Sequence, residues 1–170
     1  MEQFQIQKKY NKWMNEHFYM LCDKISDEER KRDAGAFFKS IHGTLNHILL
    51  GDRLWMSRFQ NTVFNIKSLD QELYSDYDEL KKQRVITDSE ISNYIDGLTE
   101  EQLGRSITFV SKVKQAEHTY ILRDCILHLF QHQIHHRGQV STLISQLGID
   151  IGITDMMWMP GIEITGLASI

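Results

Sequence analysis

Residues 120–148 read YILRDCILHLFQHQIHHRGQVSTLISQLG. Their apolar spacing predicts one long helix over about 120–147, stopped by Gly148. At about 100° per residue, with Cys125 as origin, Cys125, Leu129, Val140, Leu143 and Leu147 fall within about 60° of one another. His132 and His136 lie at about −20° and +20°, so they project with that stripe into an interior. His128 and His135 sit on its shoulder, at about −60° and −80°. A long amphipathic helix needs other helices to cover its apolar side.

Those partners are legible on the amino-terminal side. Phe4, Tyr10, Trp13, Met14, Phe18, Leu21 and Cys22 predict a first helix over about 4–22. Ser26 followed by Glu29 reads as a capping box for a short helical turn, and Gly35 marks a loop. Phe37, Ile41, Thr44, Leu45, Ile48, Trp55 and Phe59 predict a second long helix over about 37–60, with an apolar sector of about 100°. His47 lies about 90° from the middle of that sector, on a flank that looks into a gap between helices.

Residues 61–86 predict a long connection carrying a short helix. Thr87 followed by Glu90 is read as the cap of a third helix, with Ile91, Tyr94, Ile95, Leu98 and Leu103 on its apolar side and its end near 104–108. Residues 109–118, FVSKVKQAEH, are expected to be extended. The tail, 149–170, is apolar and glycine-rich and contains Met156, Met157, Trp158 and Met159, so it is expected to pack over the domain or onto a partner subunit. The expectation is one all-α domain over 1–170, a four-helix bundle with long connections and a packed tail.

Composition narrows the function classes. The chain has 170 residues, 41% apolar and 25% charged, with a net charge of −4 when His is neutral. That charge does not favour direct nucleic-acid binding. No apolar run reaches the roughly 20 residues of a membrane span. The start, MEQFQIQKKY, is polar, which points to a cytoplasmic protein. Cys22 and Cys125 lie among apolar residues and read as reduced core thiols. The one proline, Pro160, comes late and leaves the helices uninterrupted.

His132 and His136 are four residues apart, which brings two imidazoles to one helix face with Cβ atoms roughly 5 to 6 Å apart. Such a pair can chelate one ion, but a third ligand must come from another segment. His47 fits by direction. His42 and His17 are further candidates, as are the carboxylates of Asp52 and Asp155, although Asp52 points about 140° from His47.

The runs HLFQHQIHHRGQ, residues 128–139, and SIHGTLNHILLGDRLWMSRF, residues 40–59, resemble the two signature segments of the DinB family of DNA-damage-inducible proteins. The resemblance implies a four-helix bundle with a three-histidine site for a divalent metal, nickel or zinc, held by His47, His132 and His136. It also implies a homodimer. Some relatives transfer low-molecular-weight thiols or use them as cofactors. The implied activities are therefore thiol S-transfer or hydrolysis on a small-molecule substrate. The alternative is a metal-binding stress protein without turnover, or a structural bundle. Around the ligands, Arg137 is expected to anchor a carboxylate or backbone carbonyl, with binding of an anionic substrate as the alternative, and Gly138 to permit close helix packing.

Overall fold

A computed structural model describes residues 1–111 and 114–162. Helices α1 (Glu2–Cys22), α3 (Ile41–Phe59), α4 (Tyr77–Asp96) and α6 (Leu122–Gln146) form the bundle. Two short helices, α2 (Asp27–Lys31) and α5 (Glu100–Leu103), lie in the connections. Strands β1 (Ser106–Ser111) and β2 (Ala116–Ile121) pair antiparallel, Ser106 with Ile121 and Ser111 with Ala116. Of the segment expected to be extended, 109–118, residues 109–111 and 116–118 lie in these strands, 114–115 form a turn, and 112–113 lie outside the described residues.

Helix α3 packs on α6 and α4, and α1 packs on α4 and α6. The core has two apolar halves. One gathers Met14, Phe18, Leu45, Leu49, Leu80 and Val140, and the other Phe4, Met56, Ile95, Ile126, Leu129 and Phe130. Between the elements runs a buried polar layer. Asp52 on α3 pairs with Arg84 on α4, and Asp52 Oδ2 accepts from Gln133 Nε2 at 2.7 Å. Arg84 also lies 2.9 Å from Asp88.

Local chemistry explains where the boundaries depart from expectation. Helix α3 starts at Ile41 because the Ser40 hydroxyl accepts from the Gly43 N–H at 3.0 Å. Phe37 precedes the helix and is 84% exposed, so it does not belong to the apolar face. Helix α4 starts ten residues before the expected Thr87 cap. Asp76 supplies the capping oxygen to the Glu79 N–H at 2.8 Å, and Tyr77 and Leu80 are buried in its first turn. Thr87 is a buried mid-helix residue whose hydroxyl accepts from Arg53 Nε at 3.3 Å. Helix α4 ends at Asp96, short of 104–108; Thr99 and Gln102 form a capping box that begins α5 separately.

Helix α6 ends as expected, with Gly148 at φ +77° following its cap. The tail runs back along α1: the Tyr10 hydroxyl donates to Thr154 O at 2.7 Å, and His17 Nε2 bonds Ile151 O at 2.6 Å. Residues 156–158 make a single 3-10 turn. The last part of the expected packed tail, 163–170, lies outside the described residues.

Candidate metal centre

Three histidines from two helices meet at the α3–α6 contact. His47 Nε2 lies 3.2 Å from His132 Nε2 and 3.2 Å from His136 Nε2. One ligand atom from each residue falls within 4.8 Å of the others. At metal–nitrogen bonds of about 2.05 Å, ligands on a tetrahedron stand about 3.3 Å apart. The two spacings from His47 match that value, so the cluster could hold an ion.

The remaining ring nitrogens explain the orientation. His47 Nδ1 bonds Leu69 O at 2.8 Å, which fixes the proton on Nδ1 because a carbonyl only accepts. Nε2 is left with its lone pair inward. His136 Nδ1 lies 2.8 Å from Gln139 Oε1, with the same result. Acceptors of this kind are what fix the tautomer in metal-ligating histidines generally. Phe38 stacks on the His47 ring at 3.8 Å and meets His136 edge-on at 5.5 Å, covering one side of the cluster.

Helix α3 accommodates the third imidazole through Gly51. A Cβ at Gly51 would stand 2.8 Å from His132 Cε1 and 3.3 Å from its Nδ1. A side chain there would displace the ring.

Electrostatics keep the cluster neutral. Burial pushes His47 down to about 4, against the pull of the Leu69 carbonyl, and His136 adds a smaller repulsion. Burial pushes His132 down to about 3, reinforced by His136 and His47. His136 is lowered by burial, with Gln139 opposing. At neutral pH each imidazole is uncharged, with one N–H and one nitrogen lone pair, the state in which histidine ligates.

The other sequence candidates lie elsewhere. His42 is buried with Nε2 on Tyr74 O at 2.9 Å, and His17 is held by the tail. Asp52 is committed to Arg84 and Gln133, and Asp155 precedes the 3-10 turn. His128 packs on Trp55, while exposed His135 packs on His136. Cys22 and Cys125 are free and buried.

Arg137 is buried, but its partners are amides rather than a carboxylate or backbone carbonyl. It donates to Asn11 Oδ1 at 2.6 Å and Gln133 Oε1 at 2.9 Å. A Cβ at Gly138 would meet nothing within 4 Å, so that glycine serves no close packing. The close approach expected there occurs at Gly51. Sequence reasoning missed Gly51, Gln139, Phe38 and the Leu69 carbonyl. Gln139 follows His136 by three residues and Gly51 follows His47 by four, so both shared a legible helix face with a ligand.

Comparison with known proteins agrees with this architecture. The profile of the DinB family matches residues 1–166. A protein named DinB from Bacillus subtilis (strain 168) is 23% identical over 150 residues, covering 86% of this chain and 87% of its own. A DinB-like protein from Bacillus cereus superposes with a TM-score of 0.63 at 16% identity, covering 84% of this chain and 91% of its own. A DinB-like protein from Bacillus subtilis superposes with a TM-score of 0.57 at 21% identity, covering 86% and 94%.

Proposed function

The chain belongs to the DinB family, and from that premise we propose that it binds one divalent cation through His47, His132 and His136 and transfers a small thiol to an electrophilic small molecule. The observation that carries this reading is the convergence of three imidazole nitrogens, two of them oriented by acceptors at 2.8 Å. An all-nitrogen donor set suits zinc or nickel. Three protein ligands leave a coordination position for an outside molecule, the usual form of a catalytic site. The ion, when bound, lowers the pKa of a nucleophile that joins it.

The surroundings favour a thiol over water as that nucleophile. A thiol gives up its proton near pH 8.5 even when free, whereas water needs far more help. Asp52, the buried carboxylate of α3, bonds Arg84 and Gln133 through Oδ2 in the polar layer and makes no bond to a histidine of the cluster. The chain's own thiols are unsuited, because burial pushes Cys22 up to about 12 and Cys125 up to about 11. In the transfer, a sulfur–carbon bond forms, the bond from carbon to its leaving group breaks, and the thiol proton passes to solvent. The histidines hold the nucleophile's partner ion, and Phe38 shields it on one side.

The reading includes a cytoplasmic homodimer without direct contact to DNA. Among the described residues, no helix is long and apolar enough to cross a membrane. Leu127 and Ile134, seven residues apart on α6, are 40% and 44% exposed and offer an apolar face to a second copy.

The zinc- or nickel-loaded protein, given cysteine and a benzyl halide, is expected to accelerate loss of the halide in a thiol-dependent manner. His136→Ala should abolish the acceleration. Equal activity after complete removal of metal would overturn the proposal.

A further inference from the structure

We propose that the cavity of about 310 Å³ bounded by Trp55, Tyr120, Asp124, Cys125 and His128 is a subsite for a neutral aromatic group of the molecule that reaches the metal centre. Its placement relative to an ion rests on the function proposed above; its capacity to take an aromatic ring does not.

The cavity is the next layer of the α3–α6 contact beyond the histidine cluster. His128 precedes His132 by one helical turn, and their ring centroids are 6.0 Å apart. Trp55 follows Gly51, the residue against the His132 ring, by one turn. Trp55 and His128 meet at 5.0 Å and 61°, so a group seated between the helices here lies one side chain from the ligands. The hairpin closes the far side: Phe109 of β1 stands edge-on to Trp55 at 5.3 Å, and Tyr120 of β2 lies 5.9 Å from Phe109. Ligand pockets begin at about 300 Å³, which suits a single ring and its substituent.

The charges select a neutral occupant. Arg58 places its guanidinium 4.5 Å from the Trp55 centroid and 3.9 Å from that of Phe109. Those ring faces already hold a cation, which would repel a second one. At the rim, the Asp124 side chain is 63% exposed and lies 3.7 Å from the Arg123 guanidinium, so the rim carries no unbalanced charge that would select an ion. The Cys125 thiol stays protonated and acts as apolar wall. What remains is aromatic surface, with ring faces and edges suited to offset or edge-to-face contact. The larger cavity beside Phe38, about 350 Å³, differs in kind, because Lys31, Asp33, Lys39, Asp70 and Glu72 line it.

The test is titration with 4-nitrobenzyl alcohol, followed through the indole N–H signals of Trp13, Trp55 and Trp158 in a proton–nitrogen correlation spectrum. The expected result is a saturable shift of the Trp55 signal alone, in protein with or without metal. His128→Ala and Tyr120→Ala should each weaken binding at least fivefold, and cyclohexylmethanol should bind at least fivefold more weakly than the aromatic alcohol. In cobalt-loaded protein the probe's ring protons should relax faster than in zinc-loaded protein. No saturable Trp55 shift, equal binding of cyclohexylmethanol, or unchanged binding in both variants would overturn the subsite. A Trp55 shift without cobalt-dependent relaxation in protein shown to hold cobalt would overturn its link to the ion. Failure of the protein to take up metal at all would defeat the proposed function while the metal-free titration still decides the subsite.

Discussion

Replacing Gly51 by Ala separates the metal centre from the fold. The new Cβ would stand 2.8 Å from His132 Cε1, whereas carbon atoms pack at about 3.5 Å or more. The imidazole must therefore withdraw by about 0.7 Å. A metal–nitrogen bond tolerates about 0.2 Å, so His132 is lost or distorted as a ligand. Misplacing a ligand by its supporting contacts typically costs 10- to 100-fold in metal affinity, and the substitution is expected to fall in that range. Helix stability moves the other way: Ala in place of an interior Gly contributes about 1 kcal/mol, and the His132 side chain can swing aside in the absence of metal. The metal-free variant is thus expected to melt at or slightly above the parent. Competition titration with a chromophoric zinc chelator measures the first effect, and thermal denaturation without metal the second. Unchanged zinc affinity would refute the positional role of Gly51. A large loss of metal-free stability would show that the contact supports packing instead.

Two further perturbations follow from the buried chemistry. Asp52→Ala leaves Arg84 buried with half its charge pairing removed and should destabilise the protein by about 3–5 kcal/mol in urea unfolding; a loss under 1 kcal/mol would contradict the pairing. The metal-free protein should lose stability as pH falls below about 6.5, because the unfolded chain takes up protons that buried His47 and His132, at about 4 and about 3, refuse. At about pH 5 the two histidines together would account for roughly 4 kcal/mol. Asp52, raised by burial to about 6, and Asp88, also raised by burial, act in the opposite sense, while His42, His128 and His136, all lowered by burial, add to the loss. Urea unfolding at several pH values checks this: a stability that rises on acidification from about pH 6.5 to 5 would reverse the assigned sign.

The long helices were readable because their signals are local and periodic. The stripe from Cys125 to Leu143 and the inward pair His132 and His136 both lie in α6, with Leu147 as its cap. The start of α4 was not, because two equivalent capping signatures compete in one stretch. Asp76 with Glu79 wins over Thr87 with Glu90 by placing Tyr77 and Leu80 in the core, a choice made by tertiary packing. Among the clustered histidines, the direction of His47 was visible on a wheel, but its selection over His42 was not a property of periodicity. Both are buried on α3, and the difference is that a loop carbonyl, Leu69 O, turns the His47 ring inward while Tyr74 O occupies His42. Such long-range carbonyl contacts leave no residue-type signature. Gly138 and Gly51 illustrate the same limit, since only the neighbouring helix determines which glycine is needed.

The proposed function requires one ion held jointly by His47, His132 and His136. Elemental analysis after zinc equilibration and gel filtration, on the parent and on single Ala variants of each histidine, tests it most directly. About one equivalent per chain is expected in the parent and in His42→Ala, and a loss of most bound metal in each of His47→Ala, His132→Ala and His136→Ala, with all variants folded by circular dichroism. Full zinc occupancy retained in folded variants of all three positions would contradict it.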